Sequence, residues 1–145
     1  MYFLDMKKVL IVLFALSYLF LCASYTQETQ KKTQHNEIFN LIERGIKGSD
    51  ISEFSVFFGK QIYLNLKSGE NGLFSANQAY YILQNYLSNR KIIDFNFNSF
   101  GYADDIPFAV GNLVFKYKNN HIFAQVYVSL VSTEGKWVID KINIY

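Results

Sequence analysis

The sequence has 145 residues, half of them hydrophobic and 18% aromatic, with 14 basic side chains against 12 acidic ones. Such richness in Phe and Tyr excludes a disordered chain, and the near-neutral charge leaves no electrostatic footprint for nucleic acid. The single cysteine, Cys22, falls within the first two dozen residues, so the remainder holds neither a disulfide nor a cysteine-ligated metal.

Residues 1–24 read as a signal peptide. Lys7 and Lys8 supply a positive n-region, Val9 to Leu21 is uncharged and apolar, and Cys22, Ala23 and Ser24 are small enough for a signal peptidase. The apolar stretch is shorter than the roughly 20 residues of a membrane-spanning helix, so no stable span is expected after cleavage. Met6, directly before the lysine pair, makes a better start than Met1, because Asp5 weakens the n-region. A lipidated Cys22 would need a small residue before it, and Leu21 is large. Cleavage near Ser24 and a periplasmic or secreted product follow, with about 120 residues left, enough for one core without staples.

Residues 25–35 are polar and aperiodic and read as a flexible leader, with residues 36–145 forming a single α+β domain. Ile38, Leu41, Ile42 and Ile46 recur at helical spacing, predicting a helix from Asn36 to Lys47 that stops at Gly48. A short second helix is expected from Ser49 or Asp50, carrying Ile51, Phe54 and Phe57 or Phe58 inward. Gln61 to Leu66 alternates as a strand, and Ser68, Gly69, Asn71 and Gly72 make a turn. Ser75-Ala76-Asn77-Gln78 fits a capping box opening a helix to Ser88, with Ala79, Ile82, Leu83, Tyr86 and Leu87 inward.

From there the period changes to two. Ile93, Phe95 and Phe97 face one way and Asp94, Asn96 and Asn98 the other. Phe108 to Tyr117, His121 to Val131 and Trp137 to Tyr145 are further strands, joined by short connections at Lys118-Asn119-Asn120 and Ser132 to Gly135. Helices followed by a meander of long strands predict one curved, mainly antiparallel sheet wrapping N-terminal helices.

The order of Ile46 to Asp50, Ile62 to Leu66, Phe74 to Ala79 with Ile82-Leu83 and Tyr86-Leu87, Val110 to Leu113, Phe123 to Leu130, and Gly135 to Ile139 with Ile142 and Ile144 resembles a known family. That family is domain of unknown function 4783 of the Bacteroidetes, small exported proteins similar to the cystatin-like cone of the nuclear transport factor 2 superfamily. The resemblance runs from about residue 37 onward and rests on structural motifs. It implies the cone fold and carries over no functional residue, because the superfamily hosts isomerases, dehydratases and many binding domains alike.

The candidate chemistry is sparse. His35 in the leader and His121 at a hairpin end are expected to be exposed, and no metal site or cofactor is expected. An isomerase-like site would need a carboxylate buried with a partner such as Tyr; the candidates are Asp94, Asp140 and Tyr127. Asp94 shares the parity of Asn96 and Asn98, and Asp140 lies beside Lys141. Gly111 in mid-strand signals a bulge or a close packing contact. Phe95, Phe97, Phe108, Phe115, Phe123 and Tyr127 either line an apolar pocket or fill the core. In the last strands both faces are bulky: Ile122, Val126 and Val128 oppose Phe123, Tyr127 and Val131, while Trp137 and Ile139 oppose Val138 and Ile142. A sheet with one wet face alternates more cleanly, which suggests a homodimer through the sheet face or a recognition surface. The expected function is a non-catalytic exported domain binding a partner protein or small apolar ligand through Phe97, Phe123, Gln125, Tyr127 and Trp137. The alternatives are a small cone-type enzyme and a purely structural dimer.

Overall fold

The computed structural model describes the backbone of residues 2–145 and the side chains of residues 8–21 and 34–145. The elements run α1 (Tyr2–Gly48), α2 (Ser52–Ser55), β1 (Phe58–Leu66), β2 (Asn71–Ser75), α3 (Ala76–Ser88), β3 (Lys91–Ala103), β4 (Ile106–Tyr117), β5 (Asn120–Thr133) and β6 (Lys136–Ile144). The chain divides into two units, residues 1–34 and residues 35–145.

In the first unit the described side chains, residues 8–21 and Gln34, are all exposed. No helix among the described residues is long and apolar enough to cross a membrane. The small residues Cys22, Ala23 and Ser24 and most of the polar leader fall outside the described side chains. The leader's last residue does not: His35 lies in α1 and is only 4% exposed. This corrects the expectation of an exposed leader histidine. An edge-on contact with Trp137, 4.1 Å between ring centroids, holds it inside.

The second unit is a six-stranded sheet in the order β2-β1-β6-β5-β4-β3, with helices on one face. All pairs are antiparallel except β1 with β6, which are parallel. Three two-residue connections drive the meander. Asp104-Asp105, Lys118-Asn119 and Glu134-Gly135 all have positive φ, the backbone of the hairpin turn whose twist matches the flanking strands. The helix-facing side of the sheet is apolar throughout: Ile62, Leu64, Phe95, Leu113, Phe115, Val126, Val128, Leu130, Ile139 and Ile142 are essentially inaccessible. They meet Ile38, Phe39, Ile42 and Ile46 of α1, Ile51 and Phe54 around α2, and Leu83 and Leu87 of α3 in one cluster.

Helix boundaries follow local chemistry. Ser75 accepts from the Gln78 amide while the Gln78 side chain accepts from the Ser75 amide, which closes the capping box at α3. After Gly48 the chain turns through Ser49 in the left-handed region, and the Asp50 amide donates to the Gly45 carbonyl. The Asp50 carboxylate then accepts from the amide and hydroxyl of Ser52, and α2 opens at Ser52 with Ile51 in the N-cap position where Ser49 or Asp50 was expected.

Two irregularities overturn the simple alternation. A bulge between Ile92 and Asp94 turns Ile92 toward Phe115 and leaves Ile93 exposed, off the face of Phe95 and Phe97. On β6 the register slips opposite Ser129 and Leu130, so Ile142 shares the buried face with Ile139 where strict alternation would oppose them.

Candidate functional site

The sheet's far side, turned away from the helices, brings the sequence candidates together. Two rows cross its strands side by side. In one, Asn96 of β3 lies opposite Asn112 of β4, which lies opposite Gln125 of β5, whose backbone exchanges hydrogen bonds with Tyr145. In the next, Asp94 lies opposite Val114 and Val114 opposite Phe123. These residues, with Leu113 and Ala124, line an open groove of about 570 Å³. Phe123 is 73% exposed and Tyr145 53% exposed, so two aromatic residues at the groove are open to solvent. The Tyr145 ring is held in place, since buried Asn143 donates to its hydroxyl at 2.8 Å. No Lys or Arg lines the groove.

The remaining candidates divide between this face and the interior. Tyr127 is half-buried on the same face, stacked on Phe108 with 5.6 Å between centroids. Asp140 also points outward and accepts from the Ser129 hydroxyl at 2.9 Å. Asp94 is exposed and forms no ion pair among the described residues. Neither carboxylate enters the apolar interior. Phe97 is 8% exposed and packs edge-on against Phe39 and Phe95, so it belongs to the core. Trp137 is half-buried on the helix-facing side, against His35. Of the six aromatics singled out in the sequence, Phe95, Phe97 and Phe115 fill the interior, while Phe108, Phe123 and Tyr127 face away from it.

Sequence reasoning passed over Asn96, Asn112, Val114 and Tyr145. A signal for one of them was present. Counting back from the Lys118-Asn119 turn puts Asn112 directly opposite Gln125.

A second cleft, of about 520 Å³, opens between the β1–β2 turn and the end of α3 and is lined by Ser68, Glu70, Tyr81, Asn85, Asn89 and Arg90 among others. Its one cation is already engaged by the fold. The Arg90 guanidinium lies 3.5 Å from the Tyr86 ring centroid, with the Phe115 and Tyr117 rings also close, and donates to the Tyr86 carbonyl. Burial pushes the Tyr86 phenol up from its ordinary pKa, with Arg90 pulling the other way. Among the described residues, no three His, Cys, Asp or Glu side chains are placed to hold a metal ion.

Helices followed by an open, mostly antiparallel six-stranded sheet, with a parallel pair between its first and last strands, match the nuclear transport factor 2-like fold. A protein of that fold and of unknown function from Pseudomonas putida superposes with a TM-score of 0.61 at 10% identity, over 80% of this chain and 86% of its own. Two solved structures from Bacteroides share more of the sequence. The one from B. uniformis has a TM-score of 0.63 at 21% identity, and the one from B. ovatus 0.61 at 21%. Each match covers 72% of this chain, and 93% and 90% of the respective partner chains. Both are DUF4783 family proteins, and the sequence profile of that domain of unknown function matches residues 39–145 here. The chain belongs to the DUF4783 family. No curated protein matches it in sequence.

Proposed function

We propose that this is an exported, non-catalytic binding domain whose working surface is the outer face of its sheet. The observation that supports this reading is the contrast between the two faces. The interior, where a small apolar ligand would have to sit, is filled by Phe95, Leu113, Phe115 and Leu130, each fully buried. The outer face instead offers an open groove with unspent polar groups and an exposed Phe123. Export rests on Lys7, Lys8, the apolar run to Leu21 and the small residues at 22–24, and places the domain in the periplasm or outside the cell.

A second copy of the chain is the partner protein favoured by one further observation. Beyond the groove, Phe108, Val110, Tyr127, Val131 and Val138 form a half-buried apolar stretch of the same face. Sheet-to-sheet pairing of two such stretches would remove it from water and leave the groove at the rim. The enzyme reading, through Asp94 or Asp140 with Tyr127, needs a carboxylate in a closed apolar pocket and ranks below binding.

Native mass spectrometry of the chain expressed with its own N-terminal segment tests the reading. Expected are a mass beginning near Tyr25, a dimer, and reversion to monomer on Val110→Lys with the fold retained by circular dichroism. A monomer that neither Val110→Lys nor Phe123→Ala alters in mass or ligand content would sink it.

A further inference from the structure

We propose that the groove over β3, β4 and β5 binds a neutral carbohydrate chain, an inference that rests on the outer face being the binding surface. The polar complement comes first. Asn96, Asn112 and Gln125 stand directly opposite one another on three adjacent strands, about 4.8 Å apart across the sheet. Each side chain offers one acceptor and two donors in a fixed plane, and all three are exposed. Among the described residues none of these amides is engaged in a hydrogen bond, and the Asp94 carboxylate beside them is equally unspent. Sugar hydroxyls donate and accept at once, so a row of amides flanked by one carboxylate satisfies them without any net change of protonation.

The apolar complement is the pair of exposed aromatic residues. The face of Phe123 lies next to the amide row, and its electron-rich surface attracts the polarised C–H bonds on one side of a pyranose. Tyr145 ends the amide row on the β6 side, opposite Gln125, its hydroxyl accepting from Asn143 while its own proton stays available to a ligand. Val114 forms an apolar floor between Phe123 and Asp94. The groove is open, which suits a chain passing through better than an enclosed small molecule.

Other ligand classes fit less well. A phosphate-bearing or sulfated ligand would meet the Asp94 carboxylate, with no Lys or Arg in the lining; Lys67, at the groove's border, donates to the Phe123 carbonyl at 3.4 Å. A purely apolar ligand would cover four polar side chains and leave them without partners. An extended peptide adds to a sheet through an open edge, whereas the groove crosses the face.

The test is binding of the chain, expressed with its own N-terminal segment, to an array of neutral oligosaccharides, followed by isothermal titration with the best of them. Heparin and oligogalacturonate fragments serve as anionic comparisons. Expected is binding to at least one neutral saccharide, weakened about tenfold or more by Phe123→Ala and by Gln125→Ala. Because both side chains are exposed, the melting temperature of each variant should stay that of the parent. No neutral ligand on the array, binding to the anionic fragments alone, or affinity unchanged in both variants overturns the proposal. In that event the dimer mass separates the two ideas. A Val110→Lys variant that still converts dimer to monomer keeps the outer face as the binding surface without the sugar.

Discussion

Gly111 offers the sharpest test of how the interior and the groove are joined. Its position faces the core, and a Cβ placed there would lie 2.5 Å from the Asn96 carbonyl oxygen and 2.9 Å from a ring carbon of Phe95. The first distance is about an ångström short of ordinary contact, and the oxygen belongs to backbone held in the β3–β4 ladder. Phe95 is fully buried and cannot swing away. Gly111→Ala must therefore push β3 from β4, at the roughly 1–3 kcal/mol typical of overpacking, less the ~0.5–1 kcal/mol gained by removing a strand glycine. A net loss of about 1–2 kcal/mol corresponds to a melting temperature lower by roughly 5–10 °C for a domain near 100 residues. Gly48→Ala is the matched control, since a Cβ there meets nothing within 4 Å and the residue closes a helix. It should leave stability unchanged or raise it by up to about 1 kcal/mol. Urea titration of both variants beside the parent decides the matter. A Gly111→Ala protein as stable as the parent would refute the packing argument, because it would mean that the two strands yield freely at this point.

Three further predictions concern the supports of the fold. Burial tends to raise the pKa of Glu43, but hydrogen bonds from Lys47 and the Phe97 amide, with the Lys47 charge, outweigh it and hold the carboxyl below its ordinary 4.5. A depressed acid stabilises the fold above its unfolded-state pKa and loses that contribution as pH falls through the folded value. The stability gap between parent and Glu43→Gln, read from urea titrations at neutral pH and at successively lower pH, should therefore shrink below pH 4.5. Ser75→Ala removes the α3 cap and should cost about 1 kcal/mol, seen as a lower urea midpoint with unchanged slope. Arg90→Lys keeps the charge but loses the flat guanidinium against the Tyr86, Phe115 and Tyr117 rings. A drop of about 1–2 kcal/mol is expected, and a variant equal to the parent would show that the stack contributes little.

The elements with local causes were legible in the sequence. The Ser75–Gln78 box set the start of α3, and period-two alternation located β4, β5 and β6 closely, while β3 runs on to Ala103, past the alternation that ends at Asn98. What escaped notice depends on partners distant in the chain. β2, five residues containing Asn71 and Gly72, has little strand character of its own and forms because Leu73 and Phe74 pair with Tyr63 and Ile62. The exposure of Ile93 and the burial of Ile142 come from bulges, which shift parity with no change in composition. His35 looked like part of a polar leader because Trp137, which packs against it, lies at the opposite end of the sequence. The groove was half visible: Phe123, Gln125 and Asp94 stood out, but the amide row needs the register of two hairpins at once.

The place of β6 in the sheet bears on how the domain assembles. It is the last strand in sequence, yet it lies between β1 and β5. Until it seats, the sheet exists as two pieces, β2-β1 and β5-β4-β3, each with an apolar face open to water. The hairpins can form early, because their turns bring neighbouring strands together at small entropic cost. Pairing Leu64 with Ile142 closes a loop spanning most of the domain, so β1 docking belongs late on the folding route. The joining step is thus cooperative and slow relative to hairpin formation. A chain arrested before it presents two sticky half-sheets, the species from which aggregation or exchange of β6 between copies would start.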